Sequence, residues 1–419
     1  MHWASASAVV FPALLALCAG QQQQPLSEVG HSGSSASTSQ HAGAVDAPSY
    51  RDKLLELLEA LVSTPSSNGE ENEVGQYLVD YLEQEGYQVD IQFVPPPKDH
   101  PNVKDRFNVL AWNGARKSNY KTLVTSHIDV VPPHIPWEIE GGEISKHTII
   151  RGRGTTDAKG SVATQILAVN QLLSTNKHVN PEDIILLFVV GEETTGDGMK
   201  SFSDSLKNMS PPLTFESAIF GEPTENKLAC GHKGALFCSV VAKGKDAHSG
   251  YPELGKSANE LMIRAMNKIY DADLGSSPLF GNTTFNVGRF DGGVAANVIP
   301  ARAFVDVAAR VAVGSEKDGQ KVVQKKISDI LNEVDDKAFT LDCTHGYGPY
   351  ECNCDVPGFE PIVVNYGTDI PNLDADYVRY LYGPGSILVA HGDHEYITVG
   401  DLEKAVEDYQ KLILYALNQ

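Results

Sequence analysis

Four apolar runs in this chain, KTLVTSHIDVV, EDIILLFVVGEE, ESAIFGEPT and SILVAHGDHEY, each close on a cluster of histidine or acidic residues. Unbroken Ile, Val, Leu and Phe stretches of this length, bounded by polar turns, suit strands buried on both faces. That is the condition inside a mostly parallel sheet flanked by helices, an α/β architecture. The helical period supplies the flanking layers. Leu54, Leu57, Leu58 and Leu61 share one face of RDKLLELLEALVS, ENEVGQYLVDYLEQEGY repeats the spacing up to Gly86, and residues 158–174 read as a helix between strands. In open sheets of this class ligands bind beyond the carboxyl ends of the strands. His127, Asp129, Glu192, Glu193, Glu222 and His391 all fall there.

Residues 231–341 follow a different pattern. GALFCSVVAKG, FNVGRFDGG and ARAFVDVAARVAVG read as antiparallel strands with Asp291-Gly292-Gly293 as a turn, and 255–270 and 320–334 read as helices. This α+β block interrupts the first domain, which resumes near residue 342 to supply the fourth run. The expected organisation is one domain over 49–230 and 342–419, with an inserted domain over 231–341.

The first twenty residues contain no Asp, Glu, Lys or Arg, carry a short apolar stretch from Val9 to Leu17, and close on Cys18, Ala19 and Gly20. That stretch is too short to span a bilayer and fits a secretory signal peptide over 1–20. The Ser, Gln and Gly tract over 21–48 cannot bury enough apolar surface to offset its ordering entropy, and reads as a propeptide or disordered tail. Secretion makes disulfides an expectation. Cys230, Cys238, Cys343, Cys352 and Cys354 allow two bridges and one free thiol, with Cys343 to Cys352 or Cys354 as the expected pairing. Asn208 and Asn282 open glycosylation sequons, the first weakened by Pro211. Acidic residues outnumber basic ones 54 to 33, for a formal charge of −21, which argues against nucleic acid or an anionic membrane as a partner.

The strand ends carry the chemistry. His127 and Asp129 stand two apart, so their side chains share a face, with Asp129 either orienting the imidazole or acting as a metal ligand itself. Asp157 lies in the Gly-rich GRGTTDAKG just before a helix, where an N-cap is the plain alternative. Adjacent Glu192 and Glu193 after a buried strand repel each other and desolvate unless cations offset them. Together with Glu222 and His391 these residues suit two divalent ions bridged by one carboxylate.

SHIDVVP, GRGTTDAKG, GEETTG, GEPT and AHGDHEY resemble, in order and spacing, the motifs of the dizinc exopeptidase and deacylase family that includes carboxypeptidase G, acetylornithine deacetylase, succinyl-diaminopimelate desuccinylase and aminoacylase. The resemblance covers nearly all of the chain from about Tyr50. It implies a zinc-exopeptidase-like domain with a ferredoxin-like lid and two zinc ions per subunit. Asp157 would bridge them, His127 and Glu222 would complete one site, and Glu193 and His391 the other. Asp129 would orient His127, and Glu192 would be the general base. His391 is preferred to His394 because Ala-His-x-x-x-Glu-Tyr resembles the family's pattern. KGKDAHSGYP resembles the segment whose histidine, here His248, stabilises the oxyanion in a partner subunit, which implies a homodimer through the lid. GGVAANVIP and the later Arg310 resemble the pair that binds a substrate carboxylate, giving Asn297 and Arg310 that role. A planar guanidinium suits a carboxylate. The resemblance implies a secreted zinc carboxypeptidase or dipeptidase acting on substrates with a free carboxylate, with an N-acyl-amino-acid deacylase as the alternative. His232 and His345 match no motif and read as structural.

Overall fold

The computed structural model describes residues 47–67, 69–96, 105–209 and 212–418. The expected signal peptide and nearly all of the expected tail lie outside them.

The chain enters through helices α1 (Arg51–Ser63) and α2 (Asn72–Gln84) and strands β1 (Gln88–Phe93), β2 (Phe107–Trp112) and β3 (Asn119–His127). Helix α3 (Lys159–Thr175), strand β4 (Ile184–Val189), helix α4 (Asp197–Ser205) and strand β5 (Thr214–Gly221) follow. An excursion then adds β6 (Gly234–Lys243), α5 (Ala258–Asp271), β7 (Thr284–Gly292), β8 (Arg302–Val311), α6 (Gly319–Val334) and β9 (Phe339–Tyr347). The return carries β10 (Val378–Tyr382) and α7 (Val399–Leu417).

The larger sheet runs β1-β2-β4-β3-β5-β10, with β4, β3, β5 and β10 parallel, β2 antiparallel to β4, and β1 antiparallel to β2 at the edge. Successive residues of β4 serve opposite cores. Leu186 and Phe188 pack with α1, α3 and α7, while Ile185, Leu187 and Val189 pack with Met199 and Phe202 of α4. Burial on both faces is why this strand is apolar without alternation. The fourth run departs from expectation. SILVAHGDHEY forms no strand of this sheet; the edge strand is VRYLY, in register from Val378↔Ser217 to Tyr382↔Gly221. Gly383-Pro384-Gly385, with Gly385 at φ +76, turns the chain out of the sheet before the run begins, and Leu388 is 84% exposed.

The excursion is a four-stranded antiparallel sheet of order β7-β8-β6-β9, with α5 and α6 packed on one face. Its βαββαβ sequence with this strand order is the ferredoxin-like arrangement. The expected boundary between residues 341 and 342 falls inside β9, which stays paired with β6 as far as Tyr347↔Ala235, with a one-residue register shift between Cys343 and His345. Asp291 and Gly292 are not a turn: they pair with Phe304 and Ala303, and the connection starts at Gly293. Among the described residues the bridges are Cys230–Cys354 and Cys238–Cys343, with Cys352 a free thiol, so the expected pairing of Cys343 is corrected. Cys343 stands directly opposite Cys238 in the β6/β9 ladder, a juxtaposition set by strand register rather than by sequence distance.

Candidate active site

His127 closes β3, Glu192 and Glu193 follow β4 through Val190 and Gly191, and Glu222 follows β5, so three parallel strands deliver their acidic and imidazole groups to one end of the sheet. Asp157 joins them from the loop before α3. It caps no helix, since the N-cap position of α3 is Ala158 without a side-chain cap. His391 arrives from a loop, in the left-handed conformation at φ +61, not from a strand end.

The Asp157 carboxylate lies between two imidazoles. Its Oδ1 is 3.2 Å from His127 Nε2 and its Oδ2 is 3.3 Å from His391 Nε2. Glu222 Oε1 lies 3.8 Å from His127 Nε2, and Glu193 Oε2 lies 2.9 Å from His391 Nε2. The ligand atoms form two groups, His127 with Glu192 and Glu222, and Asp157 with Glu193 and His391, each spanning no more than 4.8 Å. Glu192 therefore stands as close to its neighbours as a ligand would.

Asp129 belongs to neither group. Its Oδ1 accepts the backbone N–H of Glu192 at 3.1 Å and its Oδ2 that of Glu193 at 3.0 Å. His127 Nδ1 sits 3.0 Å from the Asp129 carbonyl oxygen, so that nitrogen donates there and Nε2 faces the carboxylates. One fully buried residue thus orients three neighbours.

Two supporting residues escaped the sequence reading. Glu395 Oε1 accepts the backbone N–H groups of Gly154, Thr156 and Asp157 at 3.0, 3.0 and 3.1 Å, while its Oε2 pairs with buried Arg153 at 2.7 Å. Glu395 lies in AHGDHEY, but nothing in the spacing of that motif reveals which loop it holds. Lys159 donates through Nζ to the carbonyls of Leu61 and Thr64, fastening the end of α1 to the start of α3.

The electrostatics are those of a site built for cations. Burial pushes the Glu192 and Glu222 carboxyls well above the usual range, and burial together with the charge of Asp157 pushes Glu193 up to about 7. Hydrogen bonds to Asp157 and Glu193 hold His391 up at about 10. For His127, burial opposes the imidazolium, but hydrogen bonds to Asp129 and Asp157 outweigh it and raise its pKa. Among the described residues Glu193 Oε1 is buried with no hydrogen-bond partner. A buried carboxylate oxygen without a donor is costly unless a cation takes the donor's place, so this donor set fits two divalent ions.

A cleft of about 200 Å³ opens over these groups, and Arg310, half-buried on β8, lines it together with Phe237, His345 and Tyr347. His345, expected to be structural, is thus a cleft residue. His232 is structural: buried, with Nδ1 2.9 Å from the Lys233 carbonyl oxygen, Nε2 3.2 Å from Thr368 Oγ1, and its ring stacked on Tyr350. His248 and Asn297 are exposed and lie outside this cleft, neighbours on a short ribbon in which His248 pairs with Val298 and the Ser249 N–H donates to the Asn297 carbonyl. His394 is exposed and belongs to neither group.

A peptidase M20 domain-containing protein of Sordaria macrospora is 52% identical over 396 residues, spanning 90% of this chain and 87% of that one. The chain belongs to the M20 peptidase family. A second relative, described as a probable carboxypeptidase, from Aspergillus flavus, is 45% identical over 86% of both chains. Residues 230–348 match the family model of the M20 peptidase dimerisation domain, which contains β6 to β9. The M20 fold is also that of a tripeptidase from Staphylococcus aureus, with TM-score 0.71 and 20% identity over 88% of this chain and 99% of that one. It is shared by an M20 metallo-carboxypeptidase from Sulfolobus solfataricus, with TM-score 0.66 and 17% identity over 88% of this chain and all of that one. This M20 chain is accordingly a hydrolase of the metallopeptidase class, and the resemblance drawn from its five motifs is borne out.

Proposed function

We propose that this chain is a secreted dizinc carboxypeptidase or dipeptidase that removes residues from substrates with a free C-terminal carboxylate. The observation that carries the reading is Arg310, whose strand brings a guanidinium into the same cleft as both ligand groups. Imidazole nitrogens and carboxylate oxygens are donors that zinc accepts. Asp157 would serve both ions, His127 and Glu222 one, Glu193 and His391 the other. When bound, zinc polarises a carbonyl and lowers the pKa of a water toward neutrality.

The protein's own residues supply the rest. Arg310 holds the substrate carboxylate and so sets which peptide bond lies over the clusters. Glu192, fixed through its backbone by Asp129, takes a proton from the attacking water and returns it to the leaving amine. His248 and Asn297, exposed and outside the lining of the cleft of their own chain, would act in a second copy: His248 as the donor that stabilises the oxyanion, Asn297 as a contact to the substrate carboxylate. Their position in the matched dimerisation segment supports a homodimer. Two disulfides among the described residues and the leader-like first twenty residues support secretion.

The test is turnover by the zinc-loaded protein on free dipeptides, the same peptides as C-terminal amides, and N-acetyl amino acids, each with and without chelator. Chelator-sensitive cleavage restricted to free dipeptides supports the proposal. Equal cleavage of the amides removes the role of Arg310, and a preference for N-acetyl amino acids makes the enzyme a deacylase.

A further inference from the structure

The lid sheet has two faces with different duties. Leu236, Val307 and Ala309 point into the core beneath α5 and α6. On the opposite face Ala235, Phe237, Arg310, His345 and Tyr347 line the cleft over the ligand groups. Register arranges them in rows: Arg310, Ala235 and Tyr347 are cross-strand neighbours in one, and Phe237 stands opposite His345 in the next.

The second row is an aromatic wall left open. Phe237 is 41% exposed, its ring stacks on that of exposed His345 with centroids 6.4 Å apart and planes 22° apart, and Tyr347 meets His345 edge-on at 5.6 Å. The lid core does not use Phe237, and its ring lines the cleft beside the polar groups, the combination of aromatic lining and a few placed polar groups from which ligand pockets are built. The first row carries the cation. Arg310 and Ala235 line the cleft beside Tyr347, and Gly367 packs so closely on this row that a Cβ there would lie 2.1 Å from Tyr347 Oη and 3.9 Å from an Arg310 guanidinium nitrogen. Adjacent rows on one face of a sheet are about 7 Å apart. A carboxylate on Arg310 therefore places the side chain on the same α-carbon against Phe237 and His345.

We infer that Phe237 and His345 form the subsite for the side chain of the substrate's C-terminal residue, and that this subsite selects large apolar residues, aromatic before aliphatic. The inference rests on the carboxypeptidase reading, since Arg310 supplies the anchor from which the distance is measured.

The experiment compares kcat/KM of the zinc-loaded enzyme on Ala-Gly, Ala-Ala, Ala-Leu and Ala-Phe. In the wild type the value rises along that series. In Phe237→Ala, and separately in His345→Ala, the ratio of Ala-Phe to Ala-Gly falls about tenfold, the scale on which an apolar pocket discriminates. Phe237→Arg, placed on the same exposed position, shifts preference from Ala-Phe toward Ala-Glu. Calorimetric binding of free phenylalanine against glycine gives a readout without turnover, and Phe237→Ala removes the difference. Ratios unchanged in both alanine variants overturn the subsite while leaving the carboxypeptidase reading intact. A wild type that cleaves none of the dipeptides overturns that reading, and the phenylalanine and glycine titrations then decide the subsite alone.

Discussion

Glu395 accepts the backbone N–H of Asp157 at 3.1 Å, so the carboxylate between the two histidines is aimed by a residue that contributes no ligand atom to either group. The same Glu395 oxygen gathers two further N–H groups of the loop, and its other oxygen neutralises buried Arg153. Glu395→Gln should therefore lower both stability and metal affinity. Breaking a buried ion pair costs about 3 to 5 kcal/mol, and loss of an outer partner of a ligand weakens metal binding about 10- to 100-fold. Denaturant unfolding and zinc titration check the two effects; a variant with wild-type values in both contradicts this role for Glu395.

The adjacent glutamates should separate by readout. Glu192→Gln should keep its metal and lose turnover by roughly a thousandfold, the scale of a general base. Glu193→Gln should lose one of the two ions, because Glu193 Oε2 lies in the group with Asp157 and His391. Elemental analysis beside steady-state kinetics distinguishes them. Metal loss in the Glu192 variant would make Glu192 a ligand, a role its proximity to His127 and Glu222 permits.

His391→Ala and His394→Ala make a matched pair three residues apart. His391 Nε2 is 2.9 Å from Glu193 and 3.3 Å from Asp157, whereas the His394 side chain is 86% exposed. The first variant should lose zinc and activity, and the second should retain both. Zinc content after dialysis against a weak chelator decides it.

His232 gives stability a pH dependence away from the clusters. Burial, aided by the charges of Arg379 and Arg310, lowers its pKa from 6.5 to about 4 in the folded protein. The unfolded chain thus binds this proton first as pH falls. Stability from neutral His232 is full above pH ~6.5 and is lost as pH drops toward ~4, with a total on the order of 3 kcal/mol. Denaturation midpoints measured at several pH values should fall more steeply over this window in the wild type than in His232→Gln. Parallel profiles would assign the acid sensitivity to other groups.

The chemistry was legible where it sits in contiguous motifs. The ends of β3, β4 and β5 announce themselves because a strand buried on both faces must be apolar throughout and then stop abruptly at polar ligands. Residues whose role depends on folding were not legible in this way. VRYLY mixes a cation with aromatics and lost the place of edge strand to the more apolar SILVA, which Gly383-Pro384-Gly385 turns out of the sheet. Cys238 and Cys343 are 105 residues apart, and only the β6/β9 register makes them neighbours. Phe237 and His345 carry no motif; they face the cleft because the face opposite the lid core does.

The Cys230–Cys354 bridge lies just outside both crossings of the chain into the lid, which opens with Gly234 and ends with Tyr347. Covalently, the lid is a loop tied shut at its base. A protease that cuts anywhere between these two cysteines produces two polypeptide pieces but no separate molecule, and a nick between Cys238 and Cys343 becomes visible only once both bridges are reduced. A severed lid would still be held at the mouth of its own cleft.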